Sequence, residues 1–354
     1  MTRALRLDPP PGLLVRVVVA LLRLIWRPRP RPQKLPQRFL LVRPDRRGGN
    51  LLITTSLVKS LRQHIPGAHV GMVVPQDRAE MLSGLAEVDV FHPFNQRDWV
   101  RPWRLIGWSR RVRAVGYDVV IDASHWHSHS MTAGILCRLA GGAWVVTAAG
   151  PGPKLSDHSV PLDLPQDGRW PSELRMKTRL LSAIGIEEDE PAMLCPLGRD
   201  EALQADAESW WKQKAGERKR VLLWLTTRKD TTILDAERWR RALDALPELQ
   251  QGVIALGWGP GDEARLEEAE AGLLAAGYRV VAMPATSLDA LAAYMLKADL
   301  VLSGDTGPLH LARALGRPIV AFFRADDGSR WCPTDPKVRR FCFTNGSLEE
   351  QRDH

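Results

Sequence analysis

The chain has 354 residues, 44% of them apolar and 25% charged, shares that match a soluble globular protein and exclude a disordered or fibrous one; at this length two domains of about 150 residues each are expected. The 49 Lys and Arg against 41 Asp and Glu leave a formal charge of +8, which suits an anionic partner but says nothing about fold. Cys137, Cys195, Cys332 and Cys342 show no paired short spacing, so neither a zinc knuckle nor a disulfide framework is indicated, and a reducing cytoplasm fits.

The first distinctive stretch is Leu13 to Trp26, LLVRVVVALLRLIW. It is strongly apolar yet too short to span a bilayer, and RPRPRPQK follows it where a signal peptide would need a small-residue cleavage site. Arg16, Arg23 and Arg27 fall on roughly one side of a helix and leave a broad apolar face suited to the membrane interface. Arg27, Arg29, Arg31 and Lys34 add attraction to acidic lipid. Residues 1–36 are therefore expected to be an amphipathic basic segment, with residues 13–34 meeting an anionic membrane surface. Docking on the protein's own core is the alternative.

From Arg38 onward short apolar runs alternate with amphipathic ones, the pattern of a parallel sheet wrapped by helices. RFLLVRP predicts a buried strand, Leu51 to His64 a helix, HVGMVV a strand, Arg78 to Leu85 a helix and VDVFHP a strand. A basic helix around Trp99 to Val115 leads to the strand YDVVIDA, a helix from Ser130 to Ala140 ends at the Gly141 turn, and AWVVTAA closes the series. These make one doubly wound domain, residues 37–165. GPGPKLSDHSVPLDLPQDGRWP is rich in Pro, Gly and Asp and predicts a linker. Two helices follow, Pro171 to Ile184 and Glu201 to Ala215. Then the alternation restarts: strands RVLLWLTT, GVIALGW, YRVVAMP, ADLVLSGD and PIVAFF, with helices Asp235 to Leu246, Asp262 to Ala276, Ser287 to Lys297 and Pro308 to Leu315. Residues 166–335 are thus expected to form a second domain and 336–354 a tail. The fold class is α/β, two Rossmann-like doubly wound domains facing a central cleft at the carboxyl ends of their sheets.

The sharpest chemical signal is LVLSGDTGPLHLARALGRPIVAFF, Leu300 to Phe323. A strand runs into the turn Gly304-Asp305-Thr306-Gly307, and Pro308 stands where the first helical turn tolerates proline. Backbone N–H groups at Thr306, Gly307 and Leu309, with the helix dipole, make an anion site that Gly307 leaves open to a phosphate. His310 is placed to contact the same ligand. The plainer reading has Asp305 or Thr306 merely capping the helix. In SHWHSHS, His125, His127 and His129 alternate after the strand end Asp122. No carboxylate or cysteine nearby completes a metal set, so no metal is expected and the histidines are placed at the acceptor side. RDWVRPWRLIGWSRRVR interleaves Trp99, Trp103 and Trp108 with arginines, which suits a lipid headgroup interface better than base stacking; no nucleic-acid partner is expected.

DTGPLHLARALGRPIVAFF is similar to the D-T-G-x-x-H-x-A-x-A-x-x-x-P motif of the glycosyltransferase family 9 heptosyltransferases, bacterial enzymes of the lipopolysaccharide inner core. RPDRRGGNLLITTSL resembles their R-x-D-R-x-G-D-x-x-x-x-T-P opening, and YDVVID, HSVPL and LLWLTTRKD follow in the family's order, so the resemblance covers residues 38 to 335. It implies the two-domain GT-B fold and an inverting, metal-independent transfer of heptose from an ADP-heptose donor, without a cofactor. The implied acceptor is Kdo or heptose on lipid A, at the inner face of the inner membrane. Carried over, Thr306, Gly307 and His310 match the phosphate-contacting turn and Asp305 the acid facing the donor sugar. Thr226 and Thr227 match the pair near the diphosphate, and Asp262 or Glu263 the acid toward the nucleoside.

Two positions depart from the family. Asn50 stands where the family keeps the aspartate that serves as general base, with one extra residue in the loop RRGG, and an amide cannot take the acceptor's proton; loss of a positioned base costs about 10²–10⁴-fold. Asp45 is the alternative base, and its pairing with Arg43 or Arg46 is the plainer expectation. The family's lysine a few residues after the Thr pair is replaced here, the nearest cations being Arg228 and Lys229. An impaired member that binds sugar nucleotide or glycolipid as a scaffold is therefore the competing expectation.

Overall fold

In the first half of the chain, runs of Val, Leu and Ile long enough to bury a strand on both faces specify a parallel sheet. The computed structural model describes residues 12–127, 130–141, 143–150, 154–161, 171–188, 192–226, 235–324, 328–332, 337–344 and 347–351. The chain divides into two units, Met1–Leu194 and Cys195–His354. The first contains α1 (Leu13–Ile25), β1 (Arg38–Val42), α2 (Gly48–His64), β2 (His69–Pro75), α3 (Ala79–Leu82), β3 (Val90–Phe94), α4 (Pro102–Ala114), β4 (Val119–Asp122), α5 (Met131–Leu139), β5 (Trp144–Ala148), β6 (His158–Val160) and α6 (Glu173–Thr178). Its sheet runs in the order β3-β2-β1-β4-β5-β6, every neighbouring pair parallel. The order reverses between β1 and β4. In an open α/β sheet that reversal opens a crevice at the strands' carboxyl ends.

The second unit contains α7 (Glu201–Ala215), β7 (Arg220–Trp224), α8 (Ala236–Asp244), β8 (Val253–Gly257), α9 (Glu263–Ala275), β9 (Val280–Ala282), α10 (Leu288–Leu296), β10 (Leu300–Gly304), α11 (Gly307–Ala314), β11 (Ile319–Arg324), α12 (Gly328–Trp331), β12 (Val338–Thr344) and β13 (Ser347–Gln351). The order β13-β12-β11-β10-β7-β8-β9 repeats the first unit's winding, with its reversal between β7 and β10 and one antiparallel edge strand, β13. Each sheet has its own core. Leu40, Val120, Trp108 and Leu136 are among the first, and Leu223, Trp239, Leu256 and Phe322 among the second.

The expected α/β architecture holds, and several boundaries move. The expected division at 165/166 falls instead after Leu194, because α6 packs on α2 and Leu194 is locked to α2: Leu194 N donates to Thr55 Oγ1 at 2.8 Å, and that hydroxyl reaches Leu194 O at 3.0 Å. Within the expected linker, His158 to Val160 adds β6 beside β5; residues 151–153 and 162–170 lie outside those described. The described residues of the expected tail carry two strands, β12 and β13. Phe341 stacks on Phe322 at 5.5 Å between ring centroids, so β12 buries an aromatic face despite the arginines in VRRFCFT. The helix expected from Leu51 starts at Gly48, which puts Asn50 in its first turn. Close packing also dictates Gly71, where a Cβ would lie 2.0 Å from the Tyr117 hydroxyl.

Candidate functional site

In the first unit the side chains gather at the reversal point. Arg43 directly follows β1, and His125 lies three residues beyond the end of β4. The Arg43 guanidinium is only 1% exposed, and a buried cation needs an acceptor for each donor it turns inward. Its Nε pairs with the Asp45 carboxylate, its Nη1 donates to the Ala123 carbonyl, and its Nη2 lies 2.8 Å from His125 Nε2. Arginine only donates, so Nε2 holds a lone pair and the ring proton sits on Nδ1. That nitrogen lies 2.6 Å from Glu173 Oε1. Glu173, 2% exposed, also pairs with the 1%-exposed Lys177 at 3.1 Å, and Lys177 Nζ donates to the Ser124 carbonyl at 2.5 Å. Burial holds His125 well below the ordinary imidazole range, outweighing the upward pull of Glu173, and Arg43 and Lys177 push the same way as burial. The ring is neutral, in one tautomer.

Asn50 sits against this array. Its Nδ2 lies 3.2 and 3.4 Å from the two Asp45 carboxylate oxygens and 3.2 Å from His125 Nε2, which assigns the amide as a donor to both. Asp45 further accepts from Arg47 N at 3.0 Å and keeps 35% of its side chain exposed. Of the two pairings expected for Asp45 the structure shows Arg43; Arg46 pairs with Asp77 instead. His125 also lines a cavity with Ser124, Met131, Thr147, Lys154 and Leu155. His125 and His127 lie outside any strand, their rings 5.0 Å apart, and His129 is outside the described residues. Among the described residues no group of His, Cys, Asp or Glu is arranged to hold a metal.

In the second unit the reversal point brings Thr226, past β7, and the turn after β10 to neighbouring strand ends. Thr306 is the N-cap of α11, its hydroxyl accepting from Leu309 N at 3.4 Å and lying 3.0 Å from Ser303 Oγ. Of the two residues expected to cap, Thr306 does so; Asp305 stands half-buried between strand and cap. Gly307 opens the helix, and a Cβ there would meet nothing within 4 Å. Its φ is not in the left-handed range, so neither backbone nor packing requires glycine at 307. His310, expected to face the ligand, is 6% exposed, with its ring 6.0 Å from that of Trp331: in the first turn of α11 its side chain faces the body of the unit. A Cβ added at Gly259, in the loop after β8, would lie 3.3 Å from Asp262 Oδ2 and 3.6 Å from Thr226 Oγ1, so Thr226 and Asp262 share one corner. Asp262 pairs with Arg265 at 2.8 Å, whereas Glu263 is exposed and accepts from Gly261 N at 3.3 Å. Thr227 and Lys229 lie outside the described residues.

Residues that the sequence reading left aside are Arg43 as a hub, Glu173 and Lys177. Only the Ser172 cap and the four-residue spacing of Glu173 and Lys177 signal a helix there, and nothing local announces that both are buried.

Two doubly wound units, each with its polar side chains or helix N-terminus at the sheet reversal, have the GT-B architecture. Residues 107–354 match the model of glycosyltransferase family 9 (heptosyltransferase), and the chain belongs to that family. It is 29% identical over 316 residues to lipopolysaccharide heptosyltransferase 1 of Escherichia coli K12, covering 84% of this chain and 89% of that one. With lipopolysaccharide heptosyltransferase 3 of the same strain it is 25% identical over 317 residues, covering 84% and 86%. Among solved structures, a family 9 glycosyltransferase from Veillonella parvula aligns with a TM-score of 0.68 at 16% identity, over 88% of each chain. The E. coli heptosyltransferase WaaC with ADP-2-deoxy-2-fluoro heptose aligns with a TM-score of 0.60 at 22% identity, over 86% of this chain and 92% of that one.

The open space at Gly307 yields a test. Gly307→Val fills only solvent in the protein itself and is expected to leave the melting temperature within about 2 °C, since surface changes stay within about 0.5 kcal/mol. ADP affinity measured by calorimetry is expected to fall about tenfold or more, as lost hydrogen bonds to a charged group are worth about 1.5–3 kcal/mol. Unchanged ADP affinity would remove the turn from the site.

Proposed function

We propose that the chain is an inverting transferase that moves a heptose, or a related sugar, from an ADP-sugar to a Kdo- or heptose-bearing lipid A acceptor. The observation that carries this is the turn Gly304 to Gly307: a capped helix N-terminus at a sheet reversal, with a glycine that the protein itself does not need. The helix end supplies partial positive charge and N–H donors to a diphosphate. Thr226, Thr227 and Lys229 complete the donor's phosphate side, Asp262 rather than Glu263 faces the nucleoside because it shares a corner with Thr226, and Asp305 faces the donor sugar. His310, in the first turn of the same helix, is assigned to the donor's phosphate side as well.

The acceptor hydroxyl oxygen forms the new bond to the anomeric carbon, the bond from that carbon to the diphosphate oxygen breaks, and ADP leaves with both electrons. The hydroxyl proton goes to Asp45. Asn50 at the family's base position cannot take it, and Asp45 is the partly exposed carboxylate that Asn50 touches. Backbone N–H groups and Lys229 neutralise the leaving diphosphate, so the step as drawn calls on no metal.

The rival is a scaffold that binds sugar nucleotide or glycolipid without turnover, favoured by the amide at position 50. The two separate in one assay with ADP-heptose and deacylated Kdo-lipid A. Acceptor-dependent release of ADP is expected, and donor binding without release would decide for the scaffold.

Attachment to the inner face of the inner membrane rests on α1. Leu13, Leu24 and Ile25 are each more than 70% exposed, and Val17 and Leu21 about half, while Val19 is buried. The segment after the helix is tied to the sheet unit: Arg29 N donates to Asp157 Oδ1 at 2.9 Å and Arg29 Nη1 to the Gly141 carbonyl at 3.0 Å. Among the described residues no helix is long and apolar enough to cross a membrane. A tethered helix with an unpartnered apolar side and arginines suits the interface. Leu21→Glu with Leu24→Glu is expected to abolish flotation with vesicles containing anionic lipid; undiminished flotation would move attachment elsewhere.

A further inference from the structure

We infer that His125 is a positioning residue for the transfer step, holding the Asn50 amide so that it orients the Asp45 carboxylate; this rests on Asp45 being the base. The geometry leaves His125 little freedom. Nδ1 is 2.6 Å from Glu173 Oε1 and Nε2 is 2.8 Å from an Arg43 nitrogen that can only donate. The second donor at Nε2 is Asn50 Nδ2 at 3.2 Å, whose other hydrogen reaches Asp45 Oδ1 at 3.2 Å. An amide nitrogen carries two hydrogens, and here one is directed to the ring and the other to the carboxylate. The imidazole thus works as a fixed acceptor. With Nε2 protonated, Asn50 would lose a partner and its amide could rotate, setting its carbonyl oxygen against the Asp45 carboxylate.

Glu173 and Lys177 supply the rigidity. Both are buried on α6, which packs on α2, the helix whose first turn carries Asn50. The line Lys177–Glu173–His125–Asn50–Asp45 therefore runs from a buried ion pair to a partly exposed carboxylate. An amide at position 50 is what this line requires: a carboxylate there would meet the Nε2 lone pair on one side and Asp45 on the other. Asn50 is then a functional residue of this chain, with a different task from that of the aspartate it replaces.

Two substitutions at one position test the role, because a glutamine amide reaches the place of Nε2 and an asparagine amide only that of Nδ1. His125→Gln keeps an acceptor for Asn50 and Arg43, and kcat is expected to stay within about tenfold of the parent. His125→Asn keeps only the contact to Glu173, and kcat is expected to fall about 10²-fold, the scale of a misplaced catalytic group, with KM for the ADP-sugar and ADP affinity unchanged. Equal kcat in the two variants, or a faster Asn variant, overturns the inference. If either fails to keep the parent's melting transition, Glu173→Asp serves instead: it retains the charge but shortens the reach to Nδ1, so kcat must again fall with donor KM constant, and parent-like kcat overturns the role. Asp45→Asn assayed alongside separates the two levels. Parent-like turnover there removes the base reading itself, whereas slow Asp45→Asn with matching Gln and Asn variants removes only the role of His125.

Discussion

A guanidinium withdrawn from water at the reversal of the first sheet sets the terms for everything around it. Arg43 is 1% exposed, and removing an ion from water costs several kcal/mol unless its donors are met. The Asp45 charge, the Ala123 carbonyl and the His125 lone pair offset part of that cost. Each partner is thereby fixed in turn: Asp45 in its loop, His125 in one tautomer, and Asn50 between the two. The chemistry assigned to this unit is a consequence of neutralising one buried cation at the place where the sheet opens.

The second unit uses the same winding differently. There the reversal between β7 and β10 presents a helix end capped by Thr306 rather than side-chain charges, and Gly307 leaves that end uncovered. A diphosphate is large and fully charged, and backbone N–H groups with a helix dipole bind it without a desolvated cation of their own. A hydroxyl that must lose a proton needs the opposite, a carboxylate held at a defined angle. In the proposed reaction each half falls to the unit whose sheet reversal carries the matching chemistry.

Much of this was legible in the sequence. The strand patterns from Arg38 to Phe323 gave β1 to β5 of the first sheet and β7 to β11 of the second, because fully buried strands read as continuous apolar runs, and the Gly304 to Pro308 turn announced a helix end through local residue types alone. Asn50 was visible as a substitution. What escaped depended on contacts distant along the chain. Glu173 looked like an ordinary first-turn acid, and only the docking of α6 on α2 buries it against His125. The histidine series suggested an alternating row, yet His125 turns toward Glu173 and Arg43. The terminal strands were missed because arginines mask the Phe341 and Phe343 periodicity.

The central claim is that this chain keeps its working carboxylate at position 45 and uses position 50 to aim it. The kcat of Asn50→Asp tests that most directly. A carboxylate at 50 would face Asp45, whose oxygens lie 3.2 and 3.4 Å from the present amide nitrogen, and would remove the hydrogen bond that holds it. The expected result is a fall of about tenfold or more, the scale of a lost hydrogen bond to a charged group. A rise by orders of magnitude would contradict the account and show Asn50 to be a decayed base.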